Sequence, residues 1–106
     1  MTSSRRRPMQ RLGDLIPDTA RRLGLEDELR LARAIVTWSA IVAERVPPAA
    51  GSTRLVRIDG FALLVEVDAP IVAQELRLRS SELLAAFRSA PGGMAASELR
   101  IAMRRT

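Results

Sequence analysis

The ionisable chemistry of this chain is unusually narrow. Its 106 residues include no His, Cys or Tyr, and all 17 basic residues are Arg, set against 12 acids. General acid–base catalysis near neutral pH needs a group that titrates there. Without His, that role falls to a carboxylate raised by burial or by a neighbouring like charge. Glu66, Asp68 and Glu75 lie near one another in sequence, but their spacing does not mark a buried pair. A Ser nucleophile has no His or Lys to take its proton. Glu26, Asp27 and Glu28 are consecutive. Adjacent positions on a helix point in different directions, so the run reads as helix-start charge rather than a metal site. No Walker loop or GxGxxG occurs. The chemistry therefore points to a protein that is not an enzyme and uses no cofactor or metal.

Binding is what remains. The all-Arg usage has two readings, codon bias in a GC-rich genome or selection for guanidinium forks that grip phosphate and carboxylate bidentately. The placement of the charge is more informative than its total of +5. Residues 1–11 carry Arg5, Arg6, Arg7 and Arg11 with no acid, and residues 104–106 carry Arg104 and Arg105. The 11 Arg between them face all 12 acids. A nearly neutral body with basic ends favours salt-sensitive, sequence-blind contact with nucleic acid or an acidic partner. The competing reading is a solubilising tail. The three aromatics, Trp38, Phe61 and Phe87, all fall on expected core faces, which makes a base-stacking platform a poor reading.

The elements that must position these charges follow from length and periodicity. At 106 residues the chain makes one domain with one modest core. No apolar run is long enough to span a membrane, no secretory signal is recognisable, and the absence of Cys fits the cytoplasm. Residues 1–8 read as a flexible basic arm and 9–103 as the folded domain. Leu12, Leu15, Ile16, Ala20 and Leu23 have helical spacing, giving a first helix with its apolar face inward, kinked at Pro17 and capped by Gly24. Glu26–Glu28 open a second helix. Leu31, Ile35, Trp38 and Val42 form its core stripe, Leu29, Ala32, Val36 and Ala43 widen that stripe, and Pro47-Pro48 ends the helix. Residues 53–67 read as a hairpin with Asp59-Gly60 as a type I′ turn. Val56 and Ile58 lie on one face of its first strand and Leu55 and Arg57 on the other, while Phe61, Leu63, Val65 and Val67 form the core face of the second. Pro70 starts a third helix with the buried stripe Val72, Leu76, Leu83 and Phe87, stopped by Pro91-Gly92-Gly93. Leu99, Ile101 and Met103 alternate in a closing strand. The expected fold class is α+β in the order helix, helix, strand, strand, helix, strand, with the helices on one face of a three-stranded sheet. Leu55, Arg57, Leu64 and Arg100 are then candidates for a partner surface on the open sheet face, against the plainer reading of a solvated face.

One stretch carries a further meaning. Trp38-x-x-Ile41-Val42-Ala43, the prolines 47 and 48, the hydrophobic hairpin and VAQEL at 72–76 together resemble the DciA family over roughly residues 10–103. Trp38, Ile41 and Val42 match its first motif, Leu63, Val65 and Val67 its strand, and Ala73 and Leu76 its second motif. Ala43 stands where Gly is usual and Val72 where a second Trp is usual. The resemblance implies a KH-like fold and a bacterial DNA-replication accessory that binds the replicative helicase and has DNA affinity of its own. Arg5, Arg6, Arg7, Arg11, Arg104 and Arg105 would make weak, non-specific charge contacts with DNA, with no membrane or small-molecule substrate involved. Longer members carry an extension that contributes to helicase contact. With the sequence ending at Thr106, the expectation is that this contact is either missing or supplied by the N-terminal arm. A KH domain grips nucleic-acid backbone through a GXXG loop, and no GXXG occurs here. A KH-like RNA-binding accessory and a pure protein-interaction module with solubilising tails are the alternative readings.

Overall fold

The computed structural model describes residues 18–104. Helix α1 spans Asp18–Arg45. A short 3₁₀ turn, Pro47–Ala49, leads to strands β1 (Thr53–Asp59) and β2 (Ala62–Val67). Helices α2 (Pro70–Leu78) and α3 (Ser80–Ser89) follow, and β3 (Glu98–Met103) closes the sheet. Strand order is β1-β2-β3, with β1 antiparallel and β3 parallel to β2. The fold is α+β with the helices on one face of a mixed sheet, as expected. Among the described residues no helix is long and apolar enough to cross a membrane.

Trp38 is the centre of the core. It has no exposed surface, and it is packed in one cluster with Val42, Leu55, Leu63, Leu76, Leu83 and Phe87. Its indole N–H donates to Thr53 Oγ1 at 3.2 Å, which ties α1 to the first residue of β1. A buried indole ordinarily needs such a partner. The helix ends where proline dictates. Val46, before Pro47, leaves the helical region at φ −135° and ψ 65°, because the proline ring crowds the residue before it.

The described structure changes the expected helices in two places. Helix α1 runs straight through Gly24, which has no positive φ. A mid-helix glycine costs only about 1 kcal/mol, and the Arg, Leu and Glu residues around it are good helix formers. The expected inward face of the N-terminal helix fails over its described part: Ala20 and Leu23 are exposed, because this half of α1 projects past the sheet and the other helices. Positions 12–17 lie outside the described residues. The expected third helix is two helices. Arg79 breaks it at φ −105° and ψ 15°, so that α2 lays Val72 and Leu76 on the sheet while α3 turns Leu83 and Phe87 toward α1.

The hairpin differs from the expected one in two places. Asp59 pairs with Ala62, so the two-residue loop is Gly60-Phe61 rather than Asp59-Gly60. Gly60 has φ +62° and Phe61 is not positive, the pattern of a II′ turn, which wants Gly first. Phe61 therefore sits at the turn, 66% exposed, and not on the core face. In β1 the pairing skips Val56 between Leu55 and Arg57. This bulge inserts one residue and reverses the alternation. Leu55 and Ile58 share the core side, and Val56 is exposed.

Candidate nucleic-acid interface

The register places Arg54, Arg57 and Asp59 of β1 beside Glu66, Leu64 and Ala62 of β2, and these beside Ala102, Arg100 and Glu98 of β3. These rows form the sheet face away from the helices. Arg57, Leu64 and Arg100 lie in one row across it. Leu55 does not join them. It is 1% exposed and belongs to the core, because the bulge turns it inward; the candidate partner surface loses that residue.

The remaining face is an ion-paired mosaic rather than a basic patch. Three Arg and three acids share it. Arg54 contacts Glu66 at 3.4 Å, and Arg100 contacts Glu98 at 2.9 Å and Asp59 at 3.3 Å. The hydrogen bond and the charge of Glu98, with Asp59 adding, hold the Arg100 guanidinium above its usual range. Arg57 alone of the three Arg makes no ion pair among the described residues. A second cluster lies where α1 meets the α2–α3 break. Arg79 bonds Glu75 at 2.6 Å and reaches the Arg45 carbonyl at 3.4 Å, and Arg45 pairs with Glu82 at 3.2 Å. The Glu75 hydrogen bond and charge raise the Arg79 pKa. Both clusters are solvent-exposed, so each ion pair stabilises little, typically under about 1 kcal/mol.

The candidate DNA-contacting arginines are placed only in part. Arg5, Arg6, Arg7, Arg11 and Arg105 lie outside the described residues. Arg104 is exposed, and its backbone N–H donates to Val67 O at 2.6 Å, so the β2–β3 pairing continues to the edge of the described chain. The family-motif residues Trp38, Ile41, Val42, Ala73 and Leu76 are all core. Val72 is 9% exposed and borders an apolar recess of about 310 Å³ between the 3₁₀ turn and α2.

Two features escaped the sequence reading. Leu29, Ala32 and Val36 were expected to widen the buried stripe of α1. Instead they are exposed, Val36 by 69% and Leu29 by 54%. With Leu25, 60% exposed, they recur at helical spacing on the side of α1 opposite Ala34, Trp38 and Ile41. The stripe runs into a groove of about 710 Å³ between α1 and α3, whose lining is apolar at Val36, Ala40, Ala85 and Ala86 and charged at Glu44 and the Arg45–Glu82 pair. The second feature is a polar recess between α1 and the Pro91–Gly93 loop, where Arg30 and Arg33 meet Gly92 and Gly93. Its parts are some 60 positions apart in sequence, and no local pattern joins them. No group of three or more acids that could hold a metal ion occurs among the described residues.

Comparison with known families gives one result. The sequence model described as "Dna[CI] antecedent, DciA" matches residues 11–101, a span that takes in α1 and both helices of the crossover and reaches Ile101 in β3. No curated protein matches the chain.

Proposed function

The chain belongs to the DciA family, a family of replication proteins of the helicase-loader kind, and on that premise we propose that it is a non-enzymatic, cytoplasmic replication accessory that binds the replicative helicase and DNA. The match over residues 11–101 is the observation that carries this reading. DNA contact falls to the basic ends, Arg5, Arg6, Arg7, Arg11, Arg104 and Arg105. The described residues hold 12 Arg against 11 acids, so most of the chain's +5 belongs to positions beyond them. Such contact is electrostatic, non-specific and salt-dependent. Helicase contact falls to the outer stripe of α1 and the groove beside α3. Exposed apolar surface of that kind typically marks a protein-binding site, and the ion-paired sheet face lacks it.

The test is fluorescence anisotropy of labelled single- and double-stranded DNA over a salt series, with and without the cognate replicative helicase. A ternary complex of helicase, protein and DNA is the expected result. Replacing Arg5, Arg6 and Arg7 by Ala should flatten the salt dependence by roughly 2 in slope, at about 0.7–0.9 per lost phosphate contact. An unchanged slope would remove the arm from the mechanism. A second reading, a protein-interaction module whose basic ends serve solubility, is favoured by the balanced charge of the open sheet face. Helicase binding without any DNA binding at low salt would establish it instead.

A further inference from the structure

We propose that the recess between α1 and the Pro91–Gly93 loop is a phosphate cradle that holds one backbone phosphodiester of a nucleic-acid strand; this rests on the DNA-binding half of the proposed function and places a second grip in the folded body. The recess encloses about 460 Å³ and is lined by Arg30, Arg33, Gly92, Gly93, Met94 and one acid, Glu26, among others. Arg30 and Arg33 are three apart on α1, so their side chains leave neighbouring positions of one face. Arg45, Arg54, Arg79 and Arg100 are all engaged by acids. Arg30 and Arg33 make no ion pair or hydrogen bond among the described residues, even though Glu26 lies one turn before Arg30. Two uncommitted guanidiniums against one carboxylate leave the recess net positive, and each fork suits the paired oxygens of a phosphate.

The loop supplies the other half of the cradle. Gly92 has φ +85°, a conformation that side chains disfavour. Its N–H and that of Met94 have no partner among the described residues, while the Gly93 N–H is taken by Ala90 O at 2.9 Å. Backbone donors around a left-handed residue form the concavities that bind anions. The loop is also held in place. Thr37 Oγ1 donates to Pro91 O at 3.0 Å. A Cβ on Gly92 would lie 2.7 Å from Thr37 Oγ1, and one on Gly93 would overlap the Phe87 carbonyl. Glycine at 92 therefore lets the backbone lie close to the helix that carries the two arginines, and glycine at 93 lets the loop fold back on the end of α3. A contact to phosphate fixes position and reads no base, consistent with the sequence-blind binding proposed above.

The test uses Arg30→Gln/Arg33→Gln in the full chain, with two probes. Inorganic phosphate is titrated while the backbone amide resonances of Gly92, Gly93 and Met94 are followed by NMR. A labelled oligothymidylate is titrated by anisotropy over a salt series. Both arginines are exposed, and an unchanged melting temperature confirms that the variant is folded. The expected result is that phosphate shifts these amides in the wild type and not in the variant. The variant should also lose several-fold DNA affinity at low salt, with a slope smaller by about 0.7, the value for one phosphate on a single strand. Unmoved amides with an unchanged slope would overturn the cradle. If the Arg5–Arg7 variant loses DNA binding in the same series, the DNA-binding reading survives that failure. Amide shifts with phosphate but no oligonucleotide binding by the wild type would overturn the nucleic-acid assignment and the DNA half of the proposed function together.

Discussion

The two halves of α1 are one continuous helix with opposite fates. From Ala34 to Arg45 it buries Ala34, Thr37, Trp38, Ile41 and Val42. From Asp18 to Arg30 every residue is exposed, including Leu23, Leu25 and Leu29. Both halves are rich in apolar side chains at helical spacing, so apolar content does not separate them. The second half crosses β1 and packs against α3, whereas the first extends beyond both. At a rise of 1.5 Å per residue, 28 residues make a rod of about 42 Å, much longer than the roughly 20 Å length of a six-residue strand. A helix of that length on so small a sheet must leave one end free. Stability therefore concentrates in the second half, and the first half leaves its apolar side chains exposed.

If the halves divide the work in this way, the largest effect on folding comes from Trp38. Trp38→Ala empties the centre of the core and leaves the Thr53 hydroxyl without the indole donor. The expected loss is about 3–5 kcal/mol, a large part of the 5–15 kcal/mol typical of a small domain. Urea unfolding followed by circular dichroism measures it, and a shift below 1 kcal/mol would show that α1 is not anchored there. Next comes the loop that packs on the second half. Gly92→Ala places a methyl group 2.7 Å from Thr37 Oγ1 of α1, at a backbone φ of +85° that a side chain disfavours. Overpacking of this kind costs on the order of 1–3 kcal/mol. A variant as stable as wild type would mean that the loop can move away from α1 freely, and the boundary between the two halves would lose its definition.

How far the sequence foretold this division depends on the range of each signal. The second half of α1 was readable because Trp38 and Val42 sit four apart before a double proline, a local pattern with a local stop. The α+β class and the core stripe Val72, Leu76, Leu83 and Phe87 were readable for the same reason. The first half was misread because periodicity reports that a helix has an apolar face and says nothing about what covers it. Spacing alone places Leu29 in the core stripe, and Val36 with it in the second half, although both lie across the helix from Trp38 and are exposed. The bulge at Val56 shows the same limit in a strand, since one inserted residue exchanges the sides of Leu55 and Val56 while Arg57 and Ile58 keep the expected ones, and nothing in TRLVRID announces it. The break at Arg79 involves no Gly or Pro and is a tertiary compromise between the sheet and α1. The Arg30–Arg33 recess required the topology itself, because the Gly92-Gly93 loop returns to α1 only after the whole hairpin and crossover have formed.

The smallest expected effect on stability gives the sharpest test of the comparison. Leu25→Gln/Leu29→Gln changes two leucines at 60% and 54% exposure. Because the side chains are already largely in water, unfolding free energy should change by no more than about 0.5 kcal/mol, the usual range for surface sites. Two leucines lost from the buried half would cost several times that. If α1's outer stripe is the protein-binding surface, the same double variant should weaken helicase binding at least tenfold, about 1.4 kcal/mol, in a pull-down titration or by calorimetry. A marked loss of stability would show that the first half of α1 is covered in solution, and the division drawn between the halves would fail. Unchanged stability together with unchanged helicase affinity would keep the division but remove the stripe as the contact. The groove between α1 and α3 would then be the next surface to alter, beginning with Ala85, which lines it from the α3 side.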